Sequence, residues 1–379
     1  MALCGTTGAY HPAMAHPRPS TSVRERSYPP PYPDGWYRVA LTSELPRGGT
    51  RYVEALGQQI VLYRSDVDDG VHALGAFCPH LGANLADGCV KAGNLQCPFH
   101  GWELAGDGAV AKVPYAKRLP VRARQPTWPI CEQYGQIFVY HRGSAAGRVV
   151  DTSAAAPYEL PRVPDIDDGR LVFRGKHDAG SVHMHLLEFA ENSVDFAHFQ
   201  PLHGKMFVPW TRLVVPGVEV RHDAVWDLET DPARAHLAYF KNNAVLKVLG
   251  RTIERTRASA LITFYGPAGV VTFRFKIPDM GEILMFQTHL PRAPLEQQVD
   301  FHWFAEPKIP RVLVSYVIGN WVSQWRNDVD IWERKIHRER PLLVQEDGPI
   351  HRLRRWFSQF YPDGGGATAS GGLAAVAGE

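Results

Sequence analysis

The sequence predicts an α+β protein in which a small all-β domain precedes a larger domain of mixed strands and helices. Residues 36–142 carry short alternating runs of apolar and polar side chains, separated by Gly, Asp and Pro turns. Later strand-like runs, such as residues 270–276, are combined with helical patterns near 181–200 and 319–340. The chain has 379 residues, 45% of them hydrophobic, which is enough for two cores.

These patterns set the expected domain boundaries. Residues 1–33 are polar and end in a proline-rich stretch, so we predict a flexible arm. The all-β domain is predicted at 34–145 and the α+β domain at 146–363. Residues 143–168 lack periodicity and are predicted to be a linker or wrapping strand. Residues 364–379 are almost all small, which predicts a disordered tail.

Two cysteine–histidine motifs dominate the predicted all-β domain. Cys78-Pro-His80 is separated from Cys97-Pro-Phe-His100 by a short stretch of chain. Two thiolates and two imidazoles in this pattern are typical of a Rieske [2Fe-2S] cluster, in which the cysteines hold one iron and the histidines the other. The alternative is a Cys2His2 zinc site. Zinc fingers usually place their histidines on a helix, whereas the Pro and Gly residues here predict two turns.

The remaining composition bears on compartment and partners. Cys4, Cys89 and Cys131 are an odd number without framework spacing, which favours a reducing compartment. No apolar run is long enough for a signal peptide or a membrane span, so we expect a cytoplasmic protein. The net charge of +2 does not favour nucleic acid as a partner. The basic residues 334–340 predict either solvated helix faces or peripheral contact with an acidic donor or an anionic membrane.

A second site is predicted on the helix near 181–200. His198 and His203 lie five residues apart, and Pro201 and Gly204 end the helix so that His203 can turn back toward a shared metal. Two histidines and one carboxylate form the ligand set of mononuclear Fe(II) centres that activate dioxygen. Two buried or surface imidazoles without a metal are the alternative for this pair. The upstream cluster favours the metal, because an electron store requires a nearby consumer of electrons.

The third ligand is predicted on the helix near 319–340. At 3.6 residues per turn Asp328 projects about 70° from the centre of the apolar stripe, whereas Asp330 projects about 130° away, toward solvent. Asp328 is therefore the predicted iron ligand. A solvated carboxylate at the helix edge is the alternative.

Three polar residues precede the histidine pair. Asp195 lies three residues before His198, so its carboxylate is predicted to bond the second ring nitrogen of that histidine and fix its tautomer. An exposed acid is the alternative. Glu191 and Asn192 begin the same run and are predicted to line the pocket.

These motifs together resemble the Rieske non-haem iron oxygenases. Cys78-Pro-His-Leu-Gly, Cys97-Pro-Phe-His-Gly-Trp102 and Glu191-Asn-x-x-Asp-x-x-His-x-x-x-x-His203 carry the resemblance. More narrowly, Pro341-Leu-Leu-Val-Gln-Glu-Asp-Gly-Pro-Ile350 and Trp356-Phe-Ser-Gln-Phe-Tyr361 resemble the Neverland-type cholesterol 7-desaturases.

The resemblance implies a helix-grip-like catalytic domain and an enzyme that acts on a sterol with O2. Its electrons would come from NAD(P)H through a separate ferredoxin or reductase. It also implies a head-to-tail homotrimer, in which the cluster of one subunit serves the iron of the next and Asp195 bridges the two metals. In the animal relatives a membrane anchor usually precedes the catalytic chain, and the polar residues 1–33 do not resemble it.

Three functions compete at this point. The first is sterol desaturation at C7–C8, which converts cholesterol to 7-dehydrocholesterol. The second is hydroxylation of a 3-ketosteroid, or oxygenation of an aromatic ring, by the same architecture. The third, of another class, is a Rieske ferredoxin that only transfers electrons. The sequence leaves open the exact sterol, the electron donor and the choice between desaturation and hydroxylation.

Overall fold

The computed structural model describes residues 18–120, 122–143 and 156–361. In these residues small antiparallel sheets come first and one large antiparallel sheet with helices follows. This confirms the predicted fold class. The predicted tail at 364–379 lies outside the described residues.

The amino-terminal part consists of short strands in three sheets, ordered β1-β10-β9, β2-β3-β4 and β5-β6-β7-β8. Their bounds are β1 Gly35–Leu41, β2 Thr50–Ala55, β3 Gln58–Arg64, β4 Val71–Gly75, β5 Cys89–Lys91, β6 Asn94–Gln96, β7 Glu103–Leu104, β8 Val110–Lys112, β9 Ile130–Gln133 and β10 Gln136–His141.

The carboxy-terminal part is built on a nine-stranded antiparallel sheet. Its order is β11-β19-β18-β17-β16-β14-β13-β12, with β15 paired to β14. The bounds are β11 Val172–Val182, β12 Lys205–Phe207, β13 Val214–Leu228, β14 Leu237–Val248, β15 Arg251–Thr252, β16 Ala258–Tyr265, β17 Val270–Ile277, β18 Gly281–Ala293 and β19 Glu296–Ala305.

The described α-helices are α1 Thr21–Glu25, α2 Pro164–Asp167, α3 Leu186–Asn192, α4 Arg311–Trp332 and α5 Ile350–Ser358. Helix α4 lies across the large sheet, where its Trp321 ring packs 4.5 Å from Phe273 of β17. Trp325, one turn later, meets Phe301 of β19 edge-on at 5.3 Å. None of the described helices combines the length and the apolar character needed to cross a bilayer.

Helix α4 differs from its predicted span of 319–340 at both ends. It begins at Arg311, directly after Pro310, whose carbonyl accepts hydrogen bonds from the amides of Leu313 and Val314. It ends at Trp332, whose carbonyl accepts a hydrogen bond from the buried guanidinium of Arg24. This contact comes from a residue about 300 positions earlier, so periodicity in the helix itself gave no sign of it.

Residues 18–33 are the described part of the arm predicted at 1–33, whose first 17 residues lie outside the described residues, and they make specific contacts. Arg24 is 3% exposed and donates to the carbonyls of His183, Trp332 and Lys335. Tyr28 stacks on His185, with ring centroids 5.1 Å apart. These contacts hold residues 18–33 against the carboxy-terminal part. A buried charge is stable only while it keeps its hydrogen-bond partners, so the segment that carries Arg24 stays in place.

The expected pair of cores is also revised. Tyr37 and Val139 of the amino-terminal sheet β1-β10-β9 share one core with Phe264 and Phe301 of the large sheet. A separate core lies farther out, around Cys78 and the strands that support the two cysteine–histidine motifs. The sheet β1-β10-β9 of the first domain therefore shares a hydrophobic core with the second domain.

Candidate metal centres and the adjoining cavity

The two cysteine–histidine motifs form loops with the same backbone geometry. The amide of Cys78 donates to the Ala83 carbonyl at 2.8 Å, and the amide of Cys97 donates to the Trp102 carbonyl at 2.7 Å. Each loop closes on a glycine four residues after its cysteine, and both glycines have positive φ (75° and 70°), which other residues adopt only with strain. The predicted pair of tight turns is therefore present.

The side chains of these loops converge. Cys78 and Cys97 are buried and their thiols hydrogen-bond, while the His80 and His100 rings lie 4.7 Å apart nearer the surface. The Trp102 ring stacks on His80 at 4.7 Å. Two thiols on the inside and two imidazoles on the outside form the donor set of a Rieske cluster.

The electrostatics of Cys78 fit an iron partner. Burial raises the pKa of its thiol to about 11, so the residue ionises only beside a strong positive charge. Iron bound by a thiolate supplies that charge. The four side chains thus suit the cluster in chemistry as well as in position.

The structure brings His198, His203 and Asp328 together. Their ligand atoms all lie within 4.8 Å of one another, with Nε2 of His203 3.0 Å and Nε2 of His198 3.8 Å from Oδ1 of Asp328. His203 and Asp328 are buried. Two imidazoles and one carboxylate arranged around a point form the facial triad that non-haem ferrous iron prefers.

Hydrogen bonds to the far sides of both rings indicate which nitrogen faces the metal. Nδ1 of His198 bonds the backbone carbonyl of Asp195, and Nδ1 of His203 lies 3.2 Å from Oε1 of Gln324. Both rings therefore direct Nε2 toward Asp328. Oδ1 of Asp328 is buried and both Nε2 atoms point toward it, so a cation bound between the three side chains would compensate the buried carboxylate. The residues fit mononuclear iron.

The protonation of the pair reflects these surroundings. Burial opposes a charge on His203, but the carboxylate of Asp328 outweighs it and raises the pKa of this histidine. Burial, helped by the charge of His203, lowers the pKa of His198. A neutral imidazole is the form of His198 that can bind a divalent metal.

His198 and His203, five residues apart, reach the same point through a π-turn and not through the predicted helix end at Pro201 and Gly204. The helix expected at 181–200 ends at Asn192, and Phe199–His203 forms a π-helical turn. A π-turn pairs residues five apart, so His198 and His203 face the same point without the chain reversing at Pro201 and Gly204.

The acid beside His198 also acts differently from expectation. The side chain of Asp195 is 42% exposed, and its carboxylate lies 3.9 Å from Nδ1 of His198, too far for a hydrogen bond. The backbone carbonyl of the same residue makes the contact instead. The prediction named the correct residue with the wrong atom, because outside a regular helix the carbonyl is the nearer group.

Glu191 and Asn192 are neighbours in sequence, but their side chains point to different places. The amide nitrogen of Asn192 lies 3.2 Å from Nε2 of His198, and this residue lines the cavity described below. Glu191 forms an ion pair with Arg354 of α5 and is not among the lining residues of that cavity. Its place is between two helices, so the prediction that it lines the pocket is wrong.

The two acids of α4 differ as the helix geometry predicted. Asp328 is 5% exposed and faces the histidines, whereas Asp330 forms an ion pair with Arg212 on another face of the helix. Only Asp328 belongs to the triad within the described residues.

A cavity of about 340 Å³ opens from the triad, within the usual range for small-molecule sites. Strands β13, β14, β16 and β17 form one wall and α4 the other. The helix contributes side chains at steps of three or four residues, namely Leu313, Tyr316, Val317, Asn320, Trp321, Gln324, Trp325 and Asp328. From Leu313 to Asp328 the axis rises roughly 22 Å, so the cavity is elongated along the helix.

Aromatic side chains of the sheet form part of the cavity wall. Phe264, Phe273 and Phe275 line it from β16 and β17. Leu284 and Phe286 of β18 pack instead in a core with residues of β1 and β10.

Several polar residues of the site were not predicted. Gln324, which orients His203, lies four residues before Asp328 on the same helical face, so the spacing alone was a usable signal. His222 and Asn242 face the cavity from β13 and β14, with His222 Nδ1 3.0 Å from the amide nitrogen of Asn242. No sequence motif marked this pair.

Comparison with protein families gives two matches. Residues 35–128 match the Rieske [2Fe-2S] domain, and residues 150–361 match the 3-ketosteroid 9α-hydroxylase C-terminal domain. The first match favours the cluster over the zinc alternative. The second covers the triad and the cavity.

Curated relatives match most of the chain. A cholesterol 7-desaturase of Caenorhabditis elegans is 33% identical over 88% of this chain and 78% of its own length. One from Xenopus laevis is 31% identical over 93% of this chain and 78% of its own. A probable 3-ketosteroid 9α-monooxygenase oxygenase component of Rhodococcus rhodochrous is 33% identical over 88% and 81%.

Solved structures share the fold at low identity. Dicamba monooxygenase bound to dicamba has a TM-score of 0.61 with 19% identity, covering 86% of this chain and 96% of that one. NdmA of Pseudomonas putida CBB5 with caffeine has a TM-score of 0.63 with 18% identity, covering 85% and 89%. These likenesses concern the architecture alone.

Proposed function

Because this chain belongs to the Rieske non-haem iron oxygenases, we propose that it desaturates a sterol at C7–C8, turning cholesterol into 7-dehydrocholesterol. The enzyme is an oxidoreductase that carries a Rieske cluster and a mononuclear iron and receives electrons from a separate reductase. The predicted electron-only ferredoxin does not account for the second domain. What remains to be tested is the substrate and the bond that is changed.

One observation carries the proposal, namely the elongated apolar cavity that begins at Asp328 and follows α4. Its walls are mainly aliphatic and aromatic, as a rigid hydrocarbon ligand requires. Burial of such a ligand is favourable in proportion to its apolar area. Two relatives that are about 30% identical over most of the chain are named cholesterol 7-desaturases, which supports a sterol as the ligand.

The residues of the chain have distinct tasks in this reaction. When bound, the ferrous ion supplies dioxygen activation and the cluster supplies single electrons. His198, His203 and Asp328 would hold the iron, and Gln324 with the carbonyl of Asp195 would keep both imidazole rings in place. The aromatic wall excludes water from the reacting carbon.

A second candidate is 9α-hydroxylation of a 3-ketosteroid. It is favoured by the match of residues 150–361 to the 3-ketosteroid 9α-hydroxylase C-terminal domain. Both reactions use the same two centres and differ in which steroid carbon faces the iron. The distinction therefore rests on product analysis.

Incubation of the purified protein with cholesterol, NADPH and a ferredoxin–reductase pair tests the proposal. We expect a product two hydrogens lighter than cholesterol, with the ultraviolet absorption of a ring diene. Parallel incubation with a 3-ketosteroid should give no hydroxylated product. A product that gains an oxygen, or unchanged cholesterol with an intact cluster, would exclude desaturation.

The two acids of α4 provide the matched controls for this assay. Asp328→Ala should lose the mononuclear iron and all turnover while the visible spectrum of the cluster stays unchanged, because the cluster ligands lie in the other domain. Asp330→Ala removes an ion pair with Arg212 and should keep both metals. Loss of iron from the second variant alone would reverse the assignment of the ligand.

We also propose a head-to-tail trimer in which the cluster of one copy serves the iron of the next. The half-exposed carboxylate of Asp195 supports this arrangement, since it is free to approach a histidine of another copy. Exposed apolar side chains support it as well: Leu81 and Phe99 at the tips of the cluster loops, and Leu342 with Val344. Gly348, four residues later, packs against the Val194 carbonyl beside Asp195.

A further inference from the structure

The cavity contains polar atoms that the protein leaves without partners. Oδ1 of Asn320 is buried and has no hydrogen-bond partner among the described residues, although the side chain lines an apolar cavity. The same is true of Oδ1 of Asn242 and Nε1 of Trp325. Folding gains nothing from a buried, unpaired acceptor, so such a group in a ligand cavity points to a partner on the ligand.

The three groups lie at different depths. Trp325 is one turn from Asp328, and its ring packs on Phe301 of the sheet. Asn242 contacts His222, whose ring is 6.5 Å from that of His203, so this residue also belongs to the iron end. Asn320 stands apart from both.

Asn320 lies eight residues before Asp328 on the same face of α4, about 12 Å farther along the helix axis. Its neighbours on that face are Val317 and Trp321, and Leu246, Ile277 and Met280 are among the other lining residues. The amide is therefore a polar point on the helical wall, away from the iron end of the cavity.

From these positions we infer that Asn320 binds the hydroxyl group on the first ring of the sterol and thereby sets which carbons face the iron. This inference rests on the proposed function. A sterol such as cholesterol carries a single polar group, and C7 belongs to the ring next to the one that bears it. The hydroxyl donates its hydrogen to Oδ1 of Asn320, and the separation along α4 leaves room for the second ring beside the triad.

The test compares binding of cholesterol with binding of cholest-5-ene, which lacks only the hydroxyl. Equilibrium dialysis with the full-length, iron-loaded protein under nitrogen gives both dissociation constants. We expect the wild type to prefer cholesterol about tenfold, the worth of one buried hydrogen bond. Asn320→Leu should bind both equally, and Asn242→Leu, the same exchange at the iron end, should retain the preference.

A stability measurement accompanies the binding assay. Asn320→Leu should melt at the same temperature as the wild type or higher, because it replaces an unpaired acceptor with an apolar side chain of similar size. Equal binding of the two sterols by this stable variant supports the inference.

Two outcomes overturn it. Retention of the preference by Asn320→Leu, or its loss in Asn242→Leu instead, rejects Asn320 as the anchor while leaving the sterol reaction intact. If the wild type binds neither compound, the proposed function fails together with the inference.

Discussion

At the scale of single residues, the site depends on hydrogen bonds that fix the orientation of both imidazole rings. His198 and His203 each engage Nδ1, by the Asp195 carbonyl and by Gln324, and thereby present Nε2. Gln324 is itself fixed, since its amide donates to the Lys205 carbonyl at 2.8 Å. A ligand set ordered before the metal arrives loses less conformational entropy on binding.

Buried histidines away from the iron determine how the protein responds to acid. His289 of β18 is fully buried, and burial lowers its pKa to about 3. An unfolded chain takes up this proton near pH 6.5, so folding stability is full above that value and is lost as the pH falls toward 3.

Replacing His289 with Gln should therefore make stability less sensitive to acid. Between pH 6.5 and 3, one buried histidine of this kind lowers the free energy of unfolding by at most about 1.4 kcal/mol for each unit that the pH falls. Melting temperatures at pH 7, 6 and 5 should fall less steeply for His289→Gln than for the wild type. The exposed His351 gives the control, and His351→Gln should follow the wild-type slope. Parallel slopes for wild type and His289→Gln would contradict this account.

At the scale of elements, α4 and the chain around α3 carry the iron triad, and the amino-terminal segment joins them. Arg24 bonds Trp332, the last residue of α4, and also His183, three residues before α3. Tyr28 donates to Glu188 of α3, and Glu188 in turn pairs with Lys335 at 2.7 Å. Residues 18–33 thus link the two elements on which the ligands sit.

Arg24→Met should weaken this link. The change keeps the length of the side chain but leaves three carbonyls without their donor, among them the buried carbonyl of Trp332, at a cost of about 2–4 kcal/mol. We expect a lower melting temperature and less mononuclear iron per chain, with the cluster spectrum unchanged. Arg26→Met alters an exposed arginine two residues away and should have neither effect. Equal iron content in both variants would show that the segment does not support the triad.

The elements also show which predictions depend on local pattern. The alternation of apolar and polar residues predicted the strands of both domains. The apolar stripe of the helix near 319–340 predicted that Asp328 faces inward. Helix ends were missed: α3 ends at Asn192, well before the π-turn at Phe199–His203, and α4 ends at Trp332, whose carbonyl bonds Arg24. Local sequence fixes the type of an element more firmly than its limits.

At the scale of the whole molecule, the exposed apolar residues require an explanation. Leu342 is fully exposed and Val344 largely so. Leu81 and Phe99, which are 65% and 62% exposed, lie at the cluster loops. Exposed apolar side chains at two separate places on one chain suit a heterologous interface, which closes into a ring.

Leu342→Asp tests this interface. A charge in an apolar contact is unfavourable, so the variant should form smaller particles by light scattering than the wild type. Both metals should remain, while turnover falls because each cluster loses its partner iron. Val312→Asp, on an exposed part of α4, is the control and should not change the mass. An unchanged mass and turnover for Leu342→Asp would rule out this surface.

The sequence by itself determined the order of the two domains and identified the residues that we propose as ligands of both metal centres. Ligand chemistry depends on residue type and on short spacing, as in Cys78 to His80 and His198 to His203. Both properties can be read from a short stretch of sequence. Tertiary structure alone decided the cavity, the contact of His203 with Gln324 and the anchoring of Arg24. Those contacts join residues more than a hundred positions apart, and only packing of the sheet against α4 brings them within reach.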